Sequence, residues 1–170
     1  MPYSYEEYKE EIKKHFIDYI PKSTKILDVG AGCGTYSHLL KPHGFTIDCI
    51  EIWESYISKF NLHEHYNKVH IGNILDFDIS PYDYIIMGDV LEHLSSKDGQ
   101  ILIGKIQELN KKCLVAVPYE YEQGAFGGNP YEIHLQSDLT PMKMKNRYPL
   151  LDLLYGNNEY GYYINYKLNI

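Results

Sequence analysis

The chain has 170 residues, 44% of them hydrophobic, which suffices for one globular domain with a sizeable core. A formal net charge of −7 opposes tight binding to phosphate backbones, which relies on clustered Lys and Arg, so nucleic acid is not an expected partner. The opening "MPYSYEEYKEEIKKHF" has no apolar signal-peptide core and no run of roughly 18 apolar residues occurs anywhere, so neither export nor a membrane span is expected, and a cytoplasmic location is.

Tyr5, Tyr8, Ile12, Phe16 and Tyr19 recur at helical spacing until Pro21, predicting an amphipathic leading helix within residues 1–20. "KILDV" (25–29) reads as a buried strand and "CGTYSHLLK" as the helix after it, ended by Pro42 and Gly44. Strands then follow at "FTIDCI" (45–50), "KVHIG" (68–72), "YDYIIMG" (82–88) and "KCLVAV" (112–117). Helices fall between them at "WESYISKF" (53–60) and from Lys97 to Leu109, the latter capped by Ser95 or Ser96 with Ile103, Ile106 and Leu109 inward. After Pro118, "YEYEQGAFGGNPYEIH" is a long loop without periodicity, a kind that is usually functional. A short helix is predicted next, capped by Thr140 or Ser137 with Pro141 in its first turn; "LLDLLYG" and "YGYYINYKL" then read as strands joined across "NNE".

This alternation predicts an α/β fold: a Rossmann-like, doubly wound, mostly parallel seven-stranded sheet with an antiparallel C-terminal strand pair. One domain is expected, divided into the leading helix (1–20), a cofactor-binding core (25–117), an acceptor loop (118–136), and a helix with the closing strands (137–170). Cys33, Cys49 and Cys113 have no CxxC spacing and are expected as small buried hydrophobes. The "HEH" at His63–His65 is expected as an exposed loop, and no metal is expected.

Gly30, Gly32 and Gly34 stand between the first strand and its helix, where a bare backbone can approach a ligand closely. A dinucleotide or S-adenosylmethionine could lie there. The dinucleotide fingerprint G-x-G-x-x-G fails at its last position, which Thr35 occupies. Asp28, two residues before Gly30, would repel a pyrophosphate and favour an ammonium or sulfonium.

In order and spacing, "ILDVGAGCGTYSHLL", "IEIWE", "GNILDFD", "YDYIIMGDVLEHL" and "LVAVP" resemble a class I S-adenosylmethionine-dependent methyltransferase over residues 25–168. The resemblance implies Asp28, Gly30, Gly32 and Gly34 against the amino-acid end of the cofactor and Glu51 on both ribose hydroxyls. It places Ile52 and Trp53 against the adenine face, Asn73 where the family usually has Asp, Ile74 as a backbone donor, and Asp76 as a reserve acceptor. It sets Gly88, Asp89 and Val90 under the methionine moiety, and it makes Glu92 and His93 a pair that starts the next helix, with His93 in a structural hydrogen-bonding role. The product would be S-adenosylhomocysteine.

"NPPY", used by amino-directed nucleic-acid methyltransferases after the fourth strand, is replaced by "GDVLEH". That points to a small or medium-sized acceptor, with oxygen favoured and nitrogen or carbon open. "GNPYEIHLQSDLTP" resembles a phrase after the fifth strand of many small, unassigned methyltransferases. His134 is the candidate base or acceptor anchor, because its side chain titrates closest to working pH. Tyr119, Tyr121 and Tyr131 would wall the acceptor, while Glu120, Glu122 and Glu132 would make the entrance acidic and disfavour polyanions. A lid this small suits an acceptor on a carrier, or a site completed by a second copy in a homodimer. The competing expectation is a cofactor-binding module without turnover.

Overall fold

The computed structural model describes residues 4–167. The expected strand continuation at Leu168 and the start of the leading segment, Met1–Tyr3, lie outside the described residues.

Seven strands form one sheet: β1 (Ile26–Val29), β2 (Ile47–Glu51), β3 (Val69–Ile71), β4 (Tyr84–Gly88), β5 (Lys112–Pro118), β6 (Asp152–Gly156) and β7 (Tyr160–Ile164), in the order β3-β2-β1-β4-β5-β7-β6. Pairing is parallel from β3 through β5, and β7 runs antiparallel to both β5 and β6. The doubly wound sheet with its closing antiparallel pair is therefore as expected. The sheet reverses direction of winding between β1 and β4, so the C-terminal ends of those strands open a crevice.

Strand side chains alternate between two cores because successive residues point to opposite faces. Leu27, Val29, Ile85, Met87, Cys113, Val115 and Val117 join one core, with helix α5 (Ser96–Glu108) and helix α6 (Pro141–Arg147) packed over it. Ile26, Tyr84, Ile86, Leu114 and Ala116 face the other, under α1 (Lys9–Tyr19), α2 (Thr35–Leu40), α3 (Glu54–Lys59) and α4 (Leu62–His65). No helix among the described residues is long and apolar enough to cross a membrane.

Several boundaries differ from the periodicity. Helix α1 starts at Lys9, with Tyr8 left-handed at its N-cap (φ 64°); Ile12 and Phe16 are buried, but Tyr19 turns outward. Tyr5 and Tyr8 belong instead to the C-terminal strands, stacking on Tyr160 and Tyr155 at ring separations of 4.7 and 6.1 Å. Leu109 is the exposed C-cap of α5, and Leu102 takes its place inside with Ile103 and Ile106. The His63–His65 stretch is one helical turn rather than loop, anchored by fully buried Leu62; His63 is exposed and His65 half-buried. Cys49 and Cys113 are buried thiols, whereas Cys33, in the glycine turn, is half-exposed.

Candidate functional site

Two cavities meet at the C-terminal end of β4. The first, of about 260 Å³, lies across the ends of β1 to β4. Gly30, Gly32, Thr35, Glu51, Ile52, Asn73, Ile74, Gly88, Asp89 and Val90 are on its wall. Gly30 has φ 64° and a Cβ there would come within 2.8 Å of Val90 Cγ2, so the turn needs both the left-handed backbone and the missing side chain. At Gly88 a Cβ would run into the Tyr36 ring, which itself lines the cavity.

Glu51 is buried and already held: its Oε2 accepts from the Gly32 amide at 3.1 Å and its Oε1 from the Trp53 amide at 2.8 Å. Each oxygen keeps further lone-pair capacity for a hydroxyl donor. Burial raises the Glu51 pKa, opposed by the backbone donors of Trp53, Gly32 and Ile52. Asn73 spends its Oδ1 on the Leu75 amide at 3.0 Å, which orients the side chain and leaves its NH2 group as donor.

Asp28, Gly34 and Trp53 are not on this wall, and Asp76 is exposed away from it. Asp28 is buried behind the glycine turn and accepts from Tyr66 Oη at 2.5 Å; burial pushes its pKa up to about 7, although the Tyr66 bond works the other way. Gly34 (φ 84°) sits at the N-cap of α2 beside His38 and Tyr66. The Trp53 ring packs 6.1 Å from that of Tyr131, which is the one on the wall.

The second cavity, of about 950 Å³, is walled by Tyr119, Tyr121, Gln123, Glu92, His134 and Tyr160, and by Glu6 and Glu7 before α1. Asp89, His93 and Ser4 line both cavities and form the passage between them. Asp89 has φ 57°, an uncommon left-handed conformation for a non-glycine residue, which turns it at the end of β4. Its Oδ1 accepts from Tyr160 Oη at 2.6 Å, while buried Oδ2 has no partner among the described residues. Burial raises its pKa, and the hydrogen bond from Tyr160 opposes this.

Glu92 and His93 occupy a separate 3₁₀ turn (Leu91–His93) rather than the start of α5, which begins at Ser96. The loop over residues 118–136 is fastened to that turn: the amides of Leu135 and Gln136 donate to the Glu92 carbonyl, and Gln136 Nε2 donates to those of Leu91 and Leu94. His134 Nδ1 donates to the Tyr121 carbonyl at 2.8 Å and His93 Nδ1 to the Ile133 carbonyl at 3.2 Å. A carbonyl only accepts, so each ring carries its proton on Nδ1 and presents an Nε2 lone pair. Burial pulls the His93 pKa down to about 4, assisted by His134, and lowers that of His134.

Two expectations for the acceptor side shift. Tyr119 and Tyr121 line the second cavity, but Tyr131 lines the first. The acidic residues at the second cavity are Glu6, Glu7, Asp89, Glu92 and Glu159. Glu120 and Glu122 are exposed off its wall, and Glu132 is buried, accepting from Tyr56 Oη at 2.8 Å.

Residues 3–123 match the family described as "Methyltransferase domain". The chain belongs to that family. The fold is shared with a Pyrococcus horikoshii OT3 protein, 16% identical over 94% of this chain and 91% of that one, with a TM-score of 0.66. It is also shared with magnesium protoporphyrin IX methyltransferase from Synechocystis PCC 6803, crystallised with SAH (12% identity, 92% and 80% coverage, TM-score 0.67). A third similar structure is 1,6-didemethyltoxoflavin-N1-methyltransferase from Burkholderia thailandensis, holding 1,6-didemethyltoxoflavin and S-adenosylhomocysteine (12% identity, 94% and 77% coverage, TM-score 0.65). No curated protein sequence matches the chain.

Two residues on the walls of this methyltransferase site, Tyr36 and Tyr160, and one behind them, Lys9, escape sequence reasoning. Tyr36 reads as an ordinary apolar position of α2, Tyr160 lies 71 residues from the Asp89 it bonds, and Lys9 reads as solvent-facing. In the structure Lys9 is buried, its Nζ donating to Tyr162 Oη at 3.0 Å and lying 4.9 Å from the Tyr36 ring centre. The signal in the sequence for the two tyrosines is the abundance of that residue, 18 in the whole chain, with clusters at both ends.

Proposed function

We propose that this methyltransferase binds S-adenosylmethionine in the first cavity and methylates a small or medium-sized acceptor, at oxygen, in the second. The observation that carries the reading is the passage at Asp89 and His93, where a ligand in either cavity would meet a ligand in the other. The donor set fits the cofactor: a glycine turn that a Cβ would fill, a pinned carboxylate at Glu51, an amide at Asn73, and an unpartnered Asp89 oxygen for a cationic group.

When bound, the cofactor supplies an electrophilic methyl group on a sulfonium. Gly30 and Gly32 would hold its amino-acid end, Glu51 its ribose hydroxyls, and Ile52 and Ile74 the adenine faces, with the Asn73 amide on the adenine edge. Gly88, Asp89 and Val90 would lie under the methionine. Asp28, Gly34 and Trp53 act from behind the wall, fixing the turn and the Glu51 carboxylate. His134, with Nε2 toward the second cavity, would anchor the acceptor or take its proton, and Tyr119 and Tyr121 would flank it. The acidic wall favours neutral or cationic acceptors and disfavours nucleic acid. Three free thiols accord with a cytoplasmic location.

Calorimetry with S-adenosylmethionine and S-adenosylhomocysteine tests the cofactor assignment; NAD binding in place of both would overturn it. Methyl-labelled cofactor incubated with acceptor pools tests turnover. His134→Ala should lower turnover at least about tenfold while leaving S-adenosylhomocysteine affinity unchanged. Loss of cofactor binding in that variant would remove His134 from the acceptor side.

A further inference from the structure

Glu92 is 1% exposed, and neither of its carboxylate oxygens has a hydrogen-bond partner among the described residues. An ionised carboxylate in that position is costly unless something positive meets it. Among the described residues, the imidazoles of His93 and His134 stand beside it. His134 Nε2 stands 4.0 Å from Glu92 Oε1, too far for a hydrogen bond, and the His93 ring lies edge-on to that of His134 at 4.7 Å. The second buried carboxylate in the passage, Asp89, also has an unpartnered oxygen.

Glu92, His93 and His134 each offer one ligand atom, and these atoms lie within 4.8 Å of one another. Ligands of one first-row ion, bound at about 2.1 Å, stand about 3 to 3.5 Å apart, so small side-chain rotations would close the set. Both imidazoles are already in the ligating tautomer, because their Nδ1 protons are committed to the Ile133 and Tyr121 carbonyls. A backbone carbonyl on the far nitrogen is the usual support for a metal-bound histidine.

We propose that Glu92, His93 and His134 bind one divalent first-row transition cation of the zinc or cobalt class, with its remaining coordination positions open to the second cavity. Two imidazoles and one carboxylate favour such an ion over magnesium or calcium, which take oxygen ligands. Three protein ligands beside a cavity of about 950 Å³ leave room for water or an acceptor oxygen on the metal. The role given to the cation rests on reading that cavity as the acceptor chamber. With the cation present His134 is a ligand rather than a base, and an acceptor hydroxyl on the metal would release its proton to water more readily.

Chelator-stripped full-length protein should take up one Co2+ per chain and develop the visible d–d bands of a low-symmetry site. Zn2+ should displace the cobalt. Glu92→Gln, His93→Ala and His134→Ala should each weaken cobalt binding by about a hundredfold or more, whereas the double change His63→Ala, His65→Ala, which removes the surface histidine pair, should leave it intact. Far-ultraviolet circular dichroism and the denaturant midpoint report whether each variant is folded. In the wild type, Zn2+ should shift the ring 15N resonances of His93 and His134 and leave those of His63 and His65 in place. No d–d bands with cobalt in excess, equal binding in the three variants, or unmoved His93 and His134 resonances would each overturn the site. Methyl transfer that survives chelation, with no cobalt bound, would reject the metal and keep the proposed function. Tight cobalt binding without any S-adenosylmethionine binding would do the reverse.

Discussion

Glu51 is aligned by two amides of its own neighbourhood, Gly32 and Trp53, so its carboxylate needs no rearrangement to meet a pair of hydroxyls. Glu51→Gln keeps the volume and loses the charge; hydrogen bonds to charged groups contribute about 1.5 to 3 kcal/mol, so the dissociation constant for S-adenosylhomocysteine should rise roughly 10- to 150-fold by calorimetry. At Gly88 the constraint is steric. Gly88→Ala would push a methyl into the Tyr36 ring, for an expected stability loss of about 1 to 3 kcal/mol in denaturant titrations, and that loss should be smaller when measured in a Tyr36→Ala background. The placement of Gly30, Gly32, Gly88 and Glu51 around one cavity was legible in the sequence because it follows from backbone position at the strand ends, whereas Asp28 lies behind the turn. The Asp89–Tyr160 bond was not, since only the sheet order brings the two together.

Among the helices, the caps behave as local chemistry dictates. Ser95 Oγ accepts from the Asp98 amide at 3.1 Å to start α5, and Thr140 Oγ1 accepts from the Lys143 amide at 3.1 Å to start α6, with Pro141 in the first turn where no amide is needed. Thr140→Ala should cost about 1 kcal/mol, read as a lower denaturant midpoint with unchanged slope. Periodicity failed where tertiary partners outbid the helix. Tyr5 and Tyr8 keep a helical spacing with Ile12, yet their rings are drawn to Tyr160 and Tyr155, and Tyr8 takes a left-handed turn at the helix start instead. The closing strands were readable as a pair, but not that β7 would slot between β5 and β6, because hydrophobic alternation gives a strand its faces and not its neighbours.

For the molecule as a whole, buried acids set part of the response to pH. Asp28 holds its proton up to about pH 7 in the folded state, while the unfolded chain releases it near the ordinary carboxylate value. The native state therefore binds more protons across that interval, and the Asp28 contribution to stability, full at low pH, is lost as pH rises through about 7. Asp28→Asn removes the titration, so the variant should gain on the wild type between about pH 4 and about pH 7, by at most about 1.4 kcal/mol per pH unit, and level off above that. A melting-temperature difference that stays constant over that range would contradict it. The sheet and the first cavity could be anticipated from the ordered motifs, whose residues all come from successive strand ends. The second cavity could not, because its wall combines the segment before α1, the 118–136 loop and the approach to β7.

That last strand has a consequence for the order in which the two cavities can come into being during synthesis. Every described residue on the first cavity's wall has been made by Leu135, whereas the second needs Glu159 and Tyr160, and the Tyr5 and Lys9 region leans on Tyr160 and Tyr162. On the ribosome, every described residue of the first cavity's wall would exist while β5 still lacks its β7 neighbour, and the second cavity's wall would be complete only when β7 emerges to cover that edge. A chain stalled shortly before Tyr160 would thus carry the whole wall of the first cavity but leave Asp89 without its Tyr160 partner and the second cavity open on one side.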